Sequence, residues 1–168
     1  TTEVSADDDT GSGAAESASA RIEGVKIGFQ MAMDRPLFGY GIGNWGFVSG
    51  SFYGGWWGGA HTLIGQILGE IGFVGTAAFI LWLWALFSTI LRIQRFYRSR
   101  NDEFMSNLAI ALKSMLILLL VLGLGGHNLF RYSWFLISAL VVAQLKVLEQ
   151  EEYTDTGDLN SAELKTEL

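Results

Sequence analysis

The 168-residue chain has no cysteine, a single proline and only 17% charged residues. Without cysteine there is no disulfide framework and no thiolate metal site. A soluble globular domain carries about 25% charged residues, and here half of the residues are hydrophobic. The composition therefore argues against a cytosolic globular protein. Basic charge is missing from the N-terminus: residues 1–20 hold five acids and no base, and residues 149–168 hold seven acids against Lys165. Between these tails, residues 21–148 carry ten bases and five acids. The acidity belongs to the ends and the middle is basic, which excludes an acidic solubilising protein. No repeat of solenoid period is present, and nothing in the chain calls for a nucleic acid.

Long apolar runs are present instead. Ile71 to Leu91 is 21 residues without a charge, about 31 Å as a helix against a hydrocarbon core of about 30 Å. Leu108 to Gly125 is a second run, interrupted only by Lys113, whose stem can snorkel to the nearer interface. Tyr132 to Leu148 is a third, charged only at Lys146. The reading is an all-α integral membrane protein with three transmembrane helices, at 63–91, 108–125 and 132–148. Arg92, Arg95, Arg98 and Arg100 crowd the loop after the first span, whereas the turn between the second and third holds only Arg131. The positive-inside rule places residues 92–107 in the cytoplasm and residues 1–62 and the 125–134 turn outside. Thr1 opens into a Ser/Gly/Ala/Asp stretch, so residues 1–20 read as a disordered acidic segment of a longer membrane protein. Residues 149–168 read as a disordered acidic tail inside.

Residues 21–62 form the outer loop. Its first part, 21–34, reads as a short amphipathic helix with Val25, Gly28, Phe29 and Ala32 on one face, ended by Pro36. Residues 39–59 hold nine glycines and seven aromatics. Glycine lets backbone amides approach a ligand, and aromatic rings at a membrane face sit among headgroups or stack on sugars. Gly41, Gly43 and Gly46 match G-x-G-x-x-G, but the preceding strand that a dinucleotide fingerprint requires is missing. Gly65 and Gly69 form a small-residue pair suited to close helix packing, extended by Gly72 and Gly75. His61 stands before a helix expected to begin near Thr62 and, if continuous, to run through Glu70 into the span. A histidine there is a cap, a structural donor or a base. Glu70 is an acid at the edge of the hydrocarbon, functional when it faces the bundle, or else a cap for exposed amides or a partner for Lys26 or Arg21. His127 and Arg131 make the same rim more polar.

Taken together, Ser19 to Gly75 resembles the O-antigen ligase and polysaccharide polymerase family of bacterial inner-membrane glycosyltransferases. The resemblance is carried by Ser19 and Arg21, by Met33-Asp34-Arg35-Pro36-Leu37-Phe38-Gly39-Tyr40-Gly41-Ile42-Gly43-Asn44, by Ala60-His61-Thr62, and by Gln66-Ile67-Leu68-Gly69-Glu70-Ile71-Gly72-Phe73-Val74-Gly75. Thr62 stands where the family usually has asparagine. The resemblance implies transfer of a glycan from undecaprenyl pyrophosphate to an acceptor hydroxyl on lipid A core or a growing polysaccharide, at the periplasmic face, with inversion and without a metal or other cofactor.

Within that reaction His61 is the expected base or acceptor-orienting group, since imidazole titrates near neutrality. Arg21 offers a charged fork to the pyrophosphate. Gly41 and Gly43 add amide donors to the same anion. Asn44, Arg35, Glu70, His127 and Arg131 complete the expected substrate-binding set, with Glu70 orienting a histidine or an arginine rather than reacting. The competing reading is a transporter or assembly subunit of a polysaccharide export system. A transporter places polar groups at the membrane midplane, whereas these gather at one face.

Overall fold

The computed structural model describes the backbone of residues 9–55, 57–126, 129 and 131–166, and the side chains of 13, 15–55, 57–126, 129 and 131–157. Five helices follow one another: α1 (Asp9–Asp34), α2 (Trp45–Phe52), α3 (Leu63–Ser99), α4 (Glu103–Leu124) and α5 (Tyr132–Thr166), with no strand among the described residues. Three of them contain stretches long and apolar enough to cross a membrane: Leu63–Ser99, Glu103–Leu124 and Ser133–Gly157. The apolar runs are thus helical, and each helix extends beyond its run.

Both acidic ends differ from expectation. The described part of residues 1–20 is helical from Asp9, and residues 149–166 continue α5. Ala14, Ala15, Ala18 and Ala20 favour a helix upstream of Arg21, and the buried stripe that anchors α1 lies downstream. That stripe is Gly24, Ile27, Gly28, Met31 and Ala32, the i, i+3, i+4, i+7, i+8 pattern of a packed face. Phe29 is exposed, so the face is rotated from the expected one. The glycines set this: a Cβ on Gly24 would stand 2.1 Å from the Ala60 carbonyl oxygen, and one on Gly28 2.3 Å from that of Gly65. Backbone meets backbone there, and no larger side chain fits.

The chain divides into two compact units, residues 1–81 with 119–130 and residues 82–118 with 131–168. In the first, Ile27, Met31, Trp45, Val48 and Ala60 form a core against which Tyr40 and Tyr53 pack. In the second, the buried hydrophobic residues are the long-helix set Leu86, Ile90, Ile93, Tyr97, Ala109, Leu112, Leu116, Trp134, Ile137, Val141 and Leu148. Trp82 and Trp134 meet edge to face at 6.0 Å there. Lys113 donates to the Gln94 side chain at 2.9 Å. At the far end Arg92 pairs with Glu152 at 2.7 Å, and Arg100 pairs with Glu151 at 3.5 Å and with Asp155. These pairs give the continuation of α5 beyond its apolar run something to lie against.

α3 is not continuous. Gly72 has φ 64° and ψ −167°, a conformation essentially restricted to glycine. The break frees carbonyls before it and amides after it, and residues 36–41 take up both. The Tyr40 and Gly41 amides donate to the Gly69 and Glu70 carbonyls at 3.0 and 2.9 Å, while the Phe73 and Val74 amides donate to the Pro36 and Leu37 carbonyls at 2.8 and 3.2 Å. Gly39, at φ 65°, presses its Cα against the Glu70 backbone, where a Cβ would stand 2.6 Å away. The Pro36–Gly41 segment is therefore stitched into a helix break.

Candidate functional site

Arg21 and His61, forty residues apart in sequence, line one open cavity of about 300 Å³ together with Gly13, Glu16, Ser17, Ala20 and Gly125. All of these belong to the first unit. Arg21 is half-buried on α1. Its guanidinium lies over Gly125, where a Cβ would stand 3.7 Å from Nε. His61 is exposed and has φ 51°. A left-handed backbone at a residue other than glycine costs on the order of 1–3 kcal/mol and is enriched at functional sites.

His61 is held in place by its neighbours. Ala60 before it is buried against Gly24. Thr62 after it is buried, and its hydroxyl accepts the Gly65 amide at 3.0 Å, the usual N-cap arrangement at the start of a helix. Thr62, not His61, is thus the cap of α3. His61 lines the cavity. Arg21 supplies a permanent cation with a planar fork, His61 a group able to accept a proton, and Glu16 a carboxylate.

Glu70 lies elsewhere. It is 1% exposed. One carboxylate oxygen accepts the Trp45 amide at 3.2 Å and the other the Gln66 side-chain amide at 3.4 Å. It does cap an amide, the first of α2, and so ties α2 to α3. Trp45, fully buried, seats on Gly69, where a Cβ would stand 2.9 Å from the indole ring.

The glycine motif is likewise a piece of construction. The Gly41 amide, expected to meet an anion, is spent on the Glu70 carbonyl at 2.9 Å. The Asn44 side chain donates to the Tyr40 carbonyl at 2.9 Å and closes the turn. Arg35 stacks over the Tyr40 ring at 4.8 Å. Gly43, with φ 79°, has open space beside it. None of Gly41, Gly43, Asn44, Arg35 and Glu70 lines the cavity of Arg21 and His61. Arg131 is exposed just before α5, in the second unit, and His127 lies outside the described residues.

Asp34, Tyr40 and Tyr53 form a further polar cluster. The Tyr53 hydroxyl donates to Asp34 Oδ2 and lies 3.2 Å from the Tyr40 hydroxyl, which is 3.5 Å from the same carboxylate oxygen. Burial first, then the bonds to Asp34 and Tyr40, push the Tyr53 phenol far above its ordinary range, so it stays a donor at any physiological pH. The cluster closes the chain from the end of α1 to the end of α2.

Glu16 and Ser17 were not legible as site residues, because residues 1–20 read as loop. Once α1 extends upstream, Gly13, Glu16, Ser17, Ala20 and Arg21 fall at helical spacing on one face. A second, larger cavity of about 560 Å³ lies in the other unit, at the α3–α4 turn, lined by Gln94, Arg98, Asn101, Asp102, Glu103, Ser106, Asn107 and Ile110. Its chemistry is that of a solvated helix hairpin. No group of three side chains suited to a metal ion occurs among the described residues. Comparison with protein-family models, with curated proteins and with solved structures finds no match to this chain.

Proposed function

We propose that this chain carries the reaction face of a membrane glycosyltransferase that takes a glycan from undecaprenyl pyrophosphate and passes it to an acceptor hydroxyl at the periplasmic face of a bacterial inner membrane. The observation that supports this reading is the meeting of Arg21 and His61 in one cavity, on a chain with three helices able to cross a membrane. The donor is an amphipathic anion, and the acceptor is a weakly acidic hydroxyl on lipid A core or a growing polysaccharide. His61 takes the acceptor proton as the acceptor oxygen bonds to the anomeric carbon. The bond from that carbon to the pyrophosphate oxygen breaks with inversion, and the departing negative charge is met by the Arg21 fork. Undecaprenyl pyrophosphate leaves with the bonding electron pair.

The test is glycan transfer in a host lacking its own ligase and polymerase, with the full-length protein as wild type, His61→Ala and Arg21→Lys. His61→Ala is expected to lose about 10²–10⁴-fold in rate at unchanged membrane level. Arg21→Lys keeps the charge but loses the bidentate fork, so it is expected to weaken use of the donor. Full transfer by His61→Ala would overturn the assignment of the base. Resolving the product by size and attachment separates ligation to lipid A core from polymerisation.

A further inference from the structure

Between Arg35 and Arg92 the only Asp, Glu, Lys or Arg is Glu70, and Glu70 is buried. Residues 36–69 therefore form a 34-residue stretch with no formal charge apart from what His61 can carry. A loop in water is ordinarily rich in charged and polar groups, yet this one displays six large apolar side chains. Leu37, Phe38, Ile42, Phe47, Phe52 and Trp57 are each between 60% and 71% exposed. Phe47 packs edge to face with both Phe52 and Trp57, at 6.4 and 6.0 Å. α2 buries Trp45 and Val48 on one side and shows Phe47 and Phe52 on the other. A helix apolar on both sides is covered on both, and an exposed patch of this kind marks an interaction surface.

The hydrogen bonds at the helix break identify the cover. The Pro36 and Leu37 carbonyls accept the Phe73 and Val74 amides, so this segment lies level with the residues that open the second half of α3. From Phe73 to Leu91 the chain is uncharged, and these 19 residues span about 28 Å, the hydrocarbon thickness. Phe73 and Val74 are themselves 40% and 46% exposed. The break thus falls at the hydrocarbon boundary, and Leu37 and Phe38 continue an exposed apolar surface that already faces lipid.

We infer that residues 36–55 are not a water-exposed loop but, with Trp57, a membrane-embedded collar, in which Leu37, Phe38, Ile42, Phe47, Phe52 and Trp57 are seated in the interfacial zone of the bilayer. Tryptophan is enriched in this zone, and Phe and Leu side chains bury into the headgroup–acyl boundary beside it. The Pro36–Gly41 segment tolerates it because its backbone bonds are made to α3. Nothing in this inference depends on the reaction proposed above.

The chain has no native cysteine, so single nitroxide labels report without background. Phe38→Cys, Ile42→Cys and Phe47→Cys are labelled in the complete chain in phospholipid bilayers, with Leu81→Cys as the lipid-facing reference and Ser99→Cys as the aqueous one. Collision rates with oxygen, which concentrates in lipid, and with a water-soluble nickel chelate are then compared. The collar predicts an oxygen-to-nickel ratio at all three sites raised above that of Ser99→Cys towards that of Leu81→Cys. A ratio at the Ser99→Cys level overturns the inference in favour of a solvated loop. Low collision rates with both reagents overturn it in favour of a protein partner or a second copy. Three sites keep the result decisive if one variant fails to fold, and the far-ultraviolet helical signal identifies such a variant.

Discussion

The two units are built from the same material, apolar helices, and are held together differently. Residues 82–118 and 131–168 pack by side chains: a column of Ile, Leu and aromatic residues is buried between unbroken helices, with arginine–carboxylate pairs at one end. Residues 1–81 and 119–130 pack by backbone. Gly24 and Gly28 let α1 touch Ala60 and Gly65, and Gly39 and Gly72 let a loop enter a broken helix. Side-chain packing tolerates substitution of similar volume; backbone packing tolerates almost none. The unit that spends glycine this way is also the one that brings Arg21 and His61 to one cavity.

The contrast can be tested by breaking each kind of contact. The largest effect is expected at the helix break. Gly72→Ala forces a Cβ into a conformation essentially restricted to glycine, 2.6 Å from the Gly39 nitrogen, and should cost roughly 3–5 kcal/mol from strain and overpacking together. Denaturant titration in detergent micelles checks it, and a near-wild-type midpoint would mean that the break is not needed. Glu70→Ala comes next: it orphans the Trp45 amide and the Gln66 side chain, for about 1–3 kcal/mol. Glu70→Gln, which keeps an acceptor oxygen, should recover much of that loss, and equal losses in the two variants would contradict a capping role.

A smaller effect is expected from pH. The Tyr53 phenol is held protonated in the fold by burial and by Asp34 and Tyr40, whereas an unfolded tyrosine ionises near pH 10. Its contribution is complete below about pH 10 and is lost as pH rises above that, because the unfolded chain then releases a proton that the fold retains. Tyr53→Phe should flatten this alkaline loss in a thermal-unfolding series. The smallest effect is expected from the other unit. Arg100→Ala removes pairs to Glu151 and Asp155 that are partly open to solvent, so it should cost about 0.2–1 kcal/mol and matter less at high salt.

How much was legible differs between the two units for the same reason. The long apolar runs announce helices by composition alone, and the helix that ends at Asp34 is marked by Pro36. The face of α1 was read through Gly28 and Ala32 correctly but turned towards Val25 and Phe29, because Gly24 carries no hydrophobic signal to mark the stripe that runs from it through Ile27 and Met31. The acidic stretch before Arg21 read as loop through its Ser, Gly and Asp content, and with it Glu16 and Ser17 were lost from the site. The tail after Leu148 read as disordered because Glu151 and Glu152 find their partners more than fifty residues away, on α3. Glycine spacing around Gly41 suggested an anion cradle, yet the Gly41 amide bonds the Glu70 carbonyl, a partner 29 positions distant that no local pattern names.

The amino-acid sequence by itself determined that this chain is helical and has three segments able to cross a membrane, because burying some twenty consecutive apolar side chains depends on composition and length, which any stretch carries within itself. It also contained His61 and Glu70 as the chemically unusual residues of the otherwise uncharged stretch 36–91, and Arg21 upstream of it. Only the tertiary structure decided that Arg21 and His61 share a cavity while Glu70 holds up α2, and that α3 breaks at Gly72 to admit Pro36–Gly41. These outcomes rest on backbone hydrogen bonds and close approaches between segments far apart in the chain, whose satisfaction is a property of the whole fold rather than of any one segment.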